Sequence, residues 1–453
     1  MVDIVERLRS ACAQVSTDEA DLVDAARDRW TMAATVARRP DAVARPATAA
    51  EVADVLAACS EAGVPVTPAG ARSGVCGGAM PVHGGVVLDL QGLGGIVAVD
   101  DASLLVDAGA GTMGDALETE LRSAHGLTLG HRPQSVAIST VGGWLACRSA
   151  GQYSTRYGKI EDMVAGLDVA LADGRLIHTG GAPRAATGPD LTQLFVGSEG
   201  TLGVITSARL RLHPAPPAEI RAAYGFESFA AGLDACRRIL RRGATPAVLR
   251  LYDTAESERS FELSTNVLVV LDEGDEMLVR ATMDIVADEG GERLGEGPVE
   301  RWLAHRDDTY DTDELARQGI FGDTIEMAAG WSSLPALYQA VLAAVAGVEG
   351  TVWTSGHLSH SYGDGACLYV TIAGMGADWY VPAWDAAAGA ILATGGALSH
   401  HHGIGLAKAR FLPAALGLAH AVLVDLKRAL DPAGILNPGK LGLPHGFGGP
   451  AWP

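Results

Sequence analysis

Apolar residues in the first half of the chain fall into short runs that alternate with amphipathic stretches and glycine-rich turns. Residues 1–45 predict one or two helices. Thr48 and Glu51 then have the spacing of a capping box, and the pattern predicts a helix that ends at Gly63 and leads into a short strand. Strands and helices alternate to about Pro214, where the sequence PAPP indicates a boundary. The chain is therefore expected to open with a β-α-β unit.

The second half combines strand-like runs with long helical stretches. NVLVVLD and ACLYVTIAG are typical of strands, whereas LPALYQAVLAAVAGV predicts a helix, as does LGLAHAVLVDLKRAL before the turn DPAG. The pattern predicts an α+β protein with two lobes. Its expected divisions are residues 1–215, residues 216–410, and a C-terminal segment, 411–453, that returns to the first lobe.

Composition excludes several classes of function. The 453 residues include 34 Lys and Arg and 54 Asp and Glu, so the net charge is −20. Nucleic-acid binding is therefore not expected. No apolar run approaches the roughly 18 residues that span a bilayer, and the N-terminus lacks a continuous apolar signal segment. The 6 cysteines are far apart without a C-x-x-C pair, which predicts reduced and mostly buried thiols. We expect a cytoplasmic protein with no integral membrane segment.

Glycine is unusually abundant, with 57 residues, and one cluster matches a well-known motif. Gly109, Gly111 and Gly114 have the G-x-G-x-x-G spacing of a dinucleotide fingerprint between a strand and a helix. A second strand ending in an acidic residue should follow within ~20 residues to bind a ribose, and none does. We interpret this motif as a structural turn.

Three other glycine turns are better candidates for anion binding. Pro68–Gly74 follows a strand, and its small residues allow backbone N–H groups to converge on a pyrophosphate. Gln134–Gly143 repeats this scheme with hydroxyl groups that suit phosphate or ribose, and Gly197–Gly203 is a third tight turn that leads into a strand. Each turn alone is a weak signal, because most glycine turns only connect elements.

In this order and spacing the turns resemble the FAD-binding domain of the vanillyl-alcohol oxidase and p-cresol methylhydroxylase (PCMH) superfamily, over about residues 40–215. The resemblance implies a two-lobe, PCMH-type FAD-binding fold with a C-terminal α+β cap domain. Covalent members usually have a histidine in or near the first loop, whereas this chain has Ala71, Arg72 and Ser73, so non-covalent FAD is expected. The implied cofactor residues are Pro68, Ala69, Gly70, Ala71, Arg72, Ser73, Gly74, Gln134, Ser135, Ser139, Thr140, Gly143, Cys147, Arg148, Ser149, Ala150, Glu199, Gly200, Thr201, Gly203, Val204 and Ile205.

Within the superfamily the chain is most similar to the alkyldihydroxyacetonephosphate synthases. The segments that carry this likeness are STVGGW, YGKIEDMV, TGPDLTQLFVGSEGTLGVIT, PAVLRLYD, SYGDGACLYV and GGALSHHHGIG. The related FAD-linked D-2-hydroxyacid dehydrogenases instead carry His and Glu motifs that bind a metal in several members. In this chain the first of those histidines is replaced by Ser361, the last by Leu368 or Tyr369, and the glutamate by His401. Because this ligand pattern is broken, no metal is expected. His357 and His360 keep a zinc site open as an alternative.

The resemblance implies catalytic roles near the flavin for Arg250, Tyr369, His400, His401 and His402. Consecutive histidines cannot all face one way, so one or two are expected to reach the pocket and move protons. Tyr369 is expected to act as an acid/base or orienting donor, with core packing as the alternative. Arg250 lies in a predicted strand where an unpaired cation is costly, so it should face an anionic ligand or an acid such as Asp253.

The synthases have a second arginine where this chain has Asp311 or Thr312, and only a shifted alignment would let Arg306 or Arg317 replace it. We therefore predict an FAD-dependent oxidoreductase that acts through flavin N5 on a small hydroxylated substrate. The alternative is the synthase reaction of ether-lipid synthesis, an acyl-to-alkoxy exchange on acyl-dihydroxyacetone phosphate. A flavin-binding protein without turnover is a third hypothesis, and a homodimer is one candidate assembly.

Overall fold

The computed structural model, which describes residues 4–308, 315, 317–449 and 452, begins with a small sheet and its helices. The strands are β1 (Val15–Ser16), β2 (Ala42–Ala44), β3 (Val66–Ala69) and β4 (Val86–Asp89), and the helices are α1 (Ile4–Ala11), α2 (Glu19–Ala25), α3 (Ala33–Val36) and α4 (Ala49–Ala62). The strand order is β1-β2-β4-β3, with β2 and β3 parallel to β4. Because α4 links β2 to β3, the predicted β-α-β opening is present.

The predicted boundaries of α4 are confirmed, whereas the prediction for residues 1–45 is partly wrong. The Thr48 hydroxyl accepts the Glu51 N–H at 3.2 Å, and Gly63 ends the helix with a φ of 65°. Residues 1–45, predicted as helical, also contain β1 and β2. The strand β2 is only three residues long and contains two alanines, so its local pattern does not distinguish it from a helix.

The C-terminal segment extends the edge of this first sheet. The Val66 N–H donates to the Ile435 carbonyl at 2.8 Å, and the Asn437 N–H donates to the Val66 carbonyl at 2.8 Å. Ile435 and Leu436 are fully buried among the side chains of β2 and β4. The chain end is therefore fixed beside β3, the strand that leads into the first glycine loop.

A second sheet completes the first lobe. It contains β5 (Ile96–Asp100), β6 (Leu105–Gly109), β8 (Val164–Ala170), β9 (Leu176–Gly180) and β10 (Val204–Arg211), all antiparallel in the order β5-β6-β10-β8-β9. A small pair is formed by β7 (Leu127–Thr128) and β11 (His213–Pro214). The helices of this part are α5 (Gly114–Glu120), α6 (Val141–Cys147), α7 (Ser154–Tyr157), α8 (Ile160–Met163) and α9 (Thr192–Phe195).

The glycines of the G-x-G-x-x-G motif pack against the protein itself. A Cβ added to Gly109 would overlap the Leu93 carbonyl oxygen, and one added to Gly111 would overlap that of Leu90. The motif therefore lets the backbone at the end of β6 pack closely against the segment between β4 and β5, in agreement with its interpretation as a structural turn.

The second lobe is built on a seven-stranded antiparallel sheet. Its strands are β12 (Ala218–Phe226), β13 (Val248–Tyr252), β14 (Asn266–Gly274), β15 (Glu292–Gly295), β16 (Ile320–Gly330), β17 (Thr351–Ser361) and β18 (Gly365–Met375), in the order β15-β12-β14-β13-β17-β18-β16. The helices are α10 (Phe229–Arg241), α11 (Thr254–Phe261), α12 (Glu276–Glu289), α13 (Gly297–His305), α14 (Leu334–Ala346) and α15 (Tyr380–Ala393), followed by α16 (Leu412–Leu416) and α17 (Leu418–Leu430).

Both faces of this sheet are covered, and alternation along each strand decides which side chains face the first lobe. On β14, Leu268 and Val270 join the core under α10, α12, α14 and α15, whereas Val267 and Val269 join the core shared with the first lobe. By the same period of two, Arg250 on β13 and Tyr369 on β18 point away from the helices and toward the first lobe.

The six cysteines are all free, and five of them are buried, which confirms the prediction from their spacing. No single helix in the described part of the chain is long and apolar enough to cross a membrane. The helices Ala409–Leu416 and Leu418–Leu430 together have the length and hydropathy of a membrane span, but the chain bends by 118° between them.

Candidate active site

The three predicted cofactor loops meet at one place in the first lobe. The first, Pro68–Gly74, begins at the end of β3, where parallel strands commonly present a ligand site. A Cβ added to Gly70 would overlap the Thr140 hydroxyl, so the first and second loops touch at this glycine. A Cβ on Gly200 would lie 2.9 Å from Pro68 Cγ, which brings the third loop against the first.

Three residues with side chains adopt left-handed backbone conformations in or beside these loops. Arg72 has a φ of 53°, Arg148 of 57° and Glu199 of 51°, values that are uncommon outside glycine. Such conformations cost of order 1–3 kcal/mol each and persist where the surroundings impose them, as at ligand sites. The Asn437 side chain supplies part of this support, because its amide donates to the Glu199 carbonyl at 2.7 Å and to the Gly78 carbonyl at 2.9 Å.

Other predicted cofactor residues stabilise the loops from within. The Thr140 hydroxyl caps α6 by accepting the Gly143 N–H, Ser139 Oγ accepts from Trp144 Nε1, and Thr201 Oγ1 donates to the Ser198 carbonyl. Gln134 donates its side-chain amide to the Asp308 carbonyl of the second lobe. The remaining residues of the set lie in or beside the same loops, at Ala69, Ala71, Ser73, Ser135, Cys147, Ser149, Ala150, Gly203, Val204 and Ile205.

The chemistry and space of these loops fit a dinucleotide. A Cβ on Gly74 or Gly78 would meet a single neighbouring atom, at 3.9 Å, so both glycines border open space between the loops. Arg72 and Arg148 lie in or beside the same loops, where their guanidinium groups pair with Asp24 and Glu161, respectively. Backbone N–H groups presented by converging glycine loops are a donor set that suits the pyrophosphate of FAD.

On the facing sheet, Tyr369 is bonded to two of the three consecutive histidines. Its phenol lies 2.6 Å from His401 Nε2 and 2.9 Å from His402 Nε2, and His400 Nδ1 lies 2.9 Å from His401 Nδ1. Burial lowers the pKa of His400 to about 3 and that of His402 to about 4, and it lowers the pKa of His401 well below its usual value. Burial raises the pKa of Tyr369 well above its usual value. All four groups are therefore neutral near pH 7.

Neutral groups in this geometry form a chain with two proton arrangements. Each imidazole carries one N–H and the phenol one O–H, so when the Tyr369 hydroxyl donates to one of its two histidines, that link fixes the donor at every other link. In one arrangement His402 donates to Tyr369, Tyr369 to His401, and His401 to His400; in the other every bond is reversed. His400 Nε2, at one end, is buried and has no hydrogen-bond partner among the described residues.

The histidine turn lies against the cofactor loops. A Cβ on Gly403 would lie 2.7 Å from Glu199 Oε1 and 3.3 Å from Cys147 Cβ. The Glu199 carboxylate accepts the N–H groups of Ile404 at 2.6 Å and Gly405 at 2.8 Å. The Tyr369 cluster and the three loops therefore belong to one site between the lobes.

Arg250 is held by a histidine rather than by Asp253. Its guanidinium donates to His357 Nε2 at 2.8 Å and to the Tyr252 hydroxyl at 3.1 Å, and it lies 5.7 Å from the Trp302 ring centre. The alternative that Asp253 pairs with Arg250 is wrong. Asp253 instead caps α11 through the Glu256 N–H and accepts the Tyr338 hydroxyl at 2.7 Å.

Glu326 on β16 is a functional candidate that the sequence analysis did not identify. Its carboxylate accepts the backbone N–H groups of His400, His401 and His402, the Ser399 hydroxyl and the Lys408 ammonium. The signal available in the sequence was a charged residue between Ile325 and Met327, where a buried acid requires partners.

A possible metal group shares these residues. Among the described residues, Glu326, Cys367, His400 and His401 offer ligand atoms that all lie within 4.8 Å of one another. A carboxylate has about four acceptor positions, and the five donors on Glu326 already occupy them. The chemistry therefore favours an ion pair with Lys408. His357 and His360 are not among these four residues; His357 Nε2 bonds to Arg250 at 2.8 Å, and His360 Nδ1 contacts Ser154 Oγ at 2.7 Å.

The region of the missing second arginine is only partly described. Asp311 and Thr312 lie outside the described residues, and Arg317 is exposed. Arg306 donates to the Tyr153 hydroxyl at 2.5 Å and lies 5.6 Å from the Trp302 ring centre. The Trp302 ring is thus in contact with both Arg250 and Arg306.

A lobe with three converging dinucleotide loops, closed by a sheet that presents a tyrosine, histidines and an arginine, defines a flavin-dependent redox enzyme. The chain belongs to the FAD-linked oxidase family: residues 40–180 match the FAD binding domain, and residues 215–441 match the C-terminal domain of FAD linked oxidases. It is an FAD-linked oxidoreductase by family. The predictions of FAD and of a flavoenzyme are confirmed at this level.

Individual relatives support this family and this fold. The chain is 31% identical over 409 residues to the FAD-linked oxidoreductase YgcU of Escherichia coli (strain K12), covering 84% of this chain and 83% of the relative. A solved alkyldihydroxyacetonephosphate synthase superimposes with a TM-score of 0.80 at 26% identity, over 97% of this chain and 86% of that one. Substrate-bound p-cresol methylhydroxylase gives a TM-score of 0.79 at 17% identity, over 97% and 96% of the two chains, and confirms the PCMH-type fold.

Proposed function

We propose that this FAD-linked oxidoreductase oxidises a small hydroxylated substrate that also carries an anionic group. The observation that carries the proposal is the position of the Tyr369 phenol, 2.6 Å from His401 Nε2 and 2.9 Å from His402 Nε2, on the sheet face that also bears Arg250. A proton-transfer group and a fixed cation on the same face are what oxidation of such a substrate requires.

The cofactor residues of the proposal are those of the three loops, with Arg72 and Arg148 beside the pyrophosphate. When bound, FAD supplies the acceptor for the hydride equivalent that leaves the substrate carbon.

We propose non-covalent binding, because Ala71, Arg72 and Ser73 occupy the part of the first loop where covalent members usually have a histidine. Acid precipitation should leave the flavin in the supernatant, whereas flavin retained on the precipitated chain would overturn this.

Oxidation of an alcohol also releases the hydroxyl proton, and the chain from His402 through Tyr369 and His401 to His400 can carry it. A proton entering at one end reverses every hydrogen bond and releases a different proton at the other end. No imidazolium has to persist inside the site during this transfer. That matters because burial lowers the pKa of His400 to about 3 and so disfavours a charged ring there.

Arg250 is the proposed contact for the anionic group. Two of its five N–H donors are used by His357 and Tyr252, and the remaining donors suit a carboxylate or a phosphate. Arg250→Lys keeps the charge but loses the planar fork. We expect it to raise KM about tenfold for an anionic substrate and to leave that of a neutral alcohol nearly unchanged.

The test is an anaerobic titration of the purified protein with 2-hydroxyacids, neutral alcohols of the same carbon skeletons, and phosphorylated hydroxyketones. Loss of the flavin absorbance band on addition of an anionic hydroxy compound supports the proposal. Reduction by the neutral alcohols alone would overturn the role of Arg250. No reduction by any member of the panel would overturn the proposed substrate class.

Acyl-to-alkoxy exchange is the second candidate function, and the superposition on alkyldihydroxyacetonephosphate synthase favours it. Exchange of a long-chain alcohol into acyl-dihydroxyacetone phosphate without net flavin reduction would establish it in place of the oxidation. This outcome would also assign the protein to ether-lipid synthesis.

The organisation proposed with this function is an FAD-binding domain of residues 1–215, a cap of residues 216–410 and a returning segment of residues 411–453. A cytoplasmic location and a homodimer complete the proposal. Sedimentation of the purified protein tests the homodimer, and fractionation of the producing cells tests the location.

A further inference from the structure

We propose that Glu326 is the positioning residue of the histidine triplet, with Lys408 as its counter-ion. Its carboxylate fixes the backbone of His400–His402 and thereby sets the two imidazoles that hold the Tyr369 hydroxyl. The inference rests on the proposed function only in taking Tyr369 and the triplet as the catalytic groups.

The sheet register places Glu326 and Tyr369 side by side. Strands β16 and β18 are antiparallel neighbours, and Glu326 lies directly opposite Tyr369. Their neighbours Ile325 and Leu368 both pack into the helix-covered core, so the carboxylate and the phenol leave the sheet on the other face together. Glu326 then contacts all three histidines, and Tyr369 contacts His401 and His402.

The two contacts are of different kinds. Tyr369 bonds to imidazole nitrogens, whereas Glu326 accepts the backbone N–H groups of His401 at 3.2 Å and His402 at 3.1 Å, together with that of His400. Three successive N–H groups that converge on one anion form an anion-binding concavity, which here holds the protein's own carboxylate. The Ser399 hydroxyl adds a further donor at 2.5 Å.

Lys408 compensates the buried negative charge of Glu326. Its Nζ lies 3.0 Å from Glu326 Oε1, and both side chains are buried, at 1% and 0% exposure. Burial disfavours the carboxylate, but Lys408 and the neighbouring histidines outweigh it and lower the pKa of Glu326 to about 2. In the same way Glu326 outweighs burial and raises the pKa of Lys408. The pair therefore stays ionised across the physiological range and acts as a fixed anchor rather than as a pH switch.

The geometry makes the anchor relevant to chemistry. The bonds of 2.6 and 2.9 Å from the Tyr369 hydroxyl lengthen beyond useful range if the turn moves by about 1 Å, and displacements of that size reduce rates about 10²-fold. Glu326 thus acts on the reaction through the histidines, without a contact to substrate.

The first experiment measures the histidine turn directly, independently of activity. Holoenzyme is treated with diethyl pyrocarbonate, which modifies accessible neutral imidazoles, and the modified peptides are quantified by mass spectrometry. Glu326→Gln turns an acceptor oxygen into an amide donor that faces other donors. We expect modification of His400, His401 and His402 to be at least about fivefold faster than in the wild type, because the turn opens locally.

Two further variants keep this experiment decisive. Glu326→Gln combined with Lys408→Met removes the buried charge pair without leaving a lone cation, so folding is retained if the single variant is unstable. Asp323→Asn is the matched control: it removes a carboxylate three residues earlier on β16 that accepts from Tyr380 and Trp384 instead of from the triplet. Wild-type modification rates in the folded double variant would overturn the proposal, as would equal acceleration in Asp323→Asn.

The second experiment separates this inference from the proposed function. With a substrate that reduces the flavin, the double variant should lower kcat about 10²-fold with little change in KM, because Glu326 positions catalytic groups and does not bind substrate. If Tyr369→Phe is slow and the double variant is as fast as the wild type, the role of Glu326 fails while the proposed function stands. If Tyr369→Phe is as fast as the wild type, the proposed function fails, and the modification rates still decide whether Glu326 positions the turn.

Discussion

Arg250 donates a hydrogen bond to His357 Nε2 at 2.8 Å, and this single contact fixes the state of the histidine. Arginine has no acceptor atom, so Nε2 must be unprotonated and the ring proton must lie on Nδ1. Nδ1 faces the Glu256 carboxylate at 3.0 Å, which accepts that proton. Burial lowers the pKa of His357 despite the opposing effect of Glu256, so the ring stays neutral near pH 7. The order Glu256, His357, Arg250 therefore sets the direction of the guanidinium.

His357→Ala should weaken binding of an anionic substrate more than it slows turnover. The guanidinium would lose a hydrogen bond of about 1–1.5 kcal/mol, so KM should rise roughly tenfold with a smaller loss in kcat. Steady-state kinetics under the conditions of the substrate screen measure both constants. His178→Ala is the matched control, because His178 is exposed on β9 and pairs with Asp168 in the first lobe. A fall in kcat with unchanged KM would contradict this role for His357.

Tyr369→Phe should interrupt the proton chain while leaving the flavin bound. The phenyl ring keeps its place beside His357, whose ring lies 4.9 Å away and nearly parallel, but His401 and His402 lose their shared partner. Removal of a group that moves a proton in the transition state lowers kcat about 10²–10⁴-fold. Rapid-reaction measurement of anaerobic flavin reduction gives this rate constant.

The control for Tyr369→Phe is Tyr224→Phe, which removes a buried phenol on β12 outside the histidine cluster. Both variants should carry as much FAD as the wild type. Equal rates for the wild type and Tyr369→Phe would show that the hydroxyl does not take part in the reaction.

Local patterns predicted the parts of this protein that are local in sequence. The capping residues of α4, the three glycine loops and the strands that carry Arg250 and Tyr369 can each be recognised within a short window. The two lobes were predicted from the pattern of strands and helices, and FAD was implied by the family resemblance that the order and spacing of those loops carry. Confirmation by the family match shows that this order is informative even though each loop alone is not.

Relationships between distant strands could not be predicted in this way. The role of Glu326 depends on the register of β16 against β18, which no window of sequence contains. The role of Asp253 could have been predicted from the sequence, because Asp253 and Glu256 have the spacing of a helix cap. In the structure Asp253 caps α11.

Buried neutral histidines should make the protein lose stability in mild acid. Burial lowers the pKa of His131 to about 3 and that of His402 to about 4, whereas an unfolded histidine titrates near 6.5. The unfolded state therefore takes up protons first as the pH falls. The stabilising effect is complete above about pH 6.5 and is lost as the pH falls toward the folded-state values.

Each such histidine should reduce the free energy of unfolding by about 1.4 kcal/mol between about pH 7.5 and about pH 5.5. Urea unfolding at the two pH values measures the loss. His131→Asn should make the difference between the two pH values smaller by about the same amount, whatever its effect at neutral pH. A pH dependence that His131→Asn leaves unchanged would contradict the assignment of a neutral, buried His131.

Gly70→Ala should lower the FAD content of the purified protein. A Cβ at this position overlaps the Thr140 hydroxyl, and Thr140 caps α6 through the Gly143 N–H, so the methyl group must push the first and second loops apart. Loops separated in this way no longer present their backbone groups to one cofactor. We expect at least about tenfold weaker FAD binding, corresponding to about 1.4 kcal/mol, which reconstitution of the apoprotein with FAD can measure. Gly389→Ala provides the control, because Gly389 lies exposed in α15, nothing lies within 4 Å of its added Cβ, and alanine favours a helix by about 1 kcal/mol. FAD binding that is equal in the two variants would show that contact between the first and second loops is not needed to hold the cofactor.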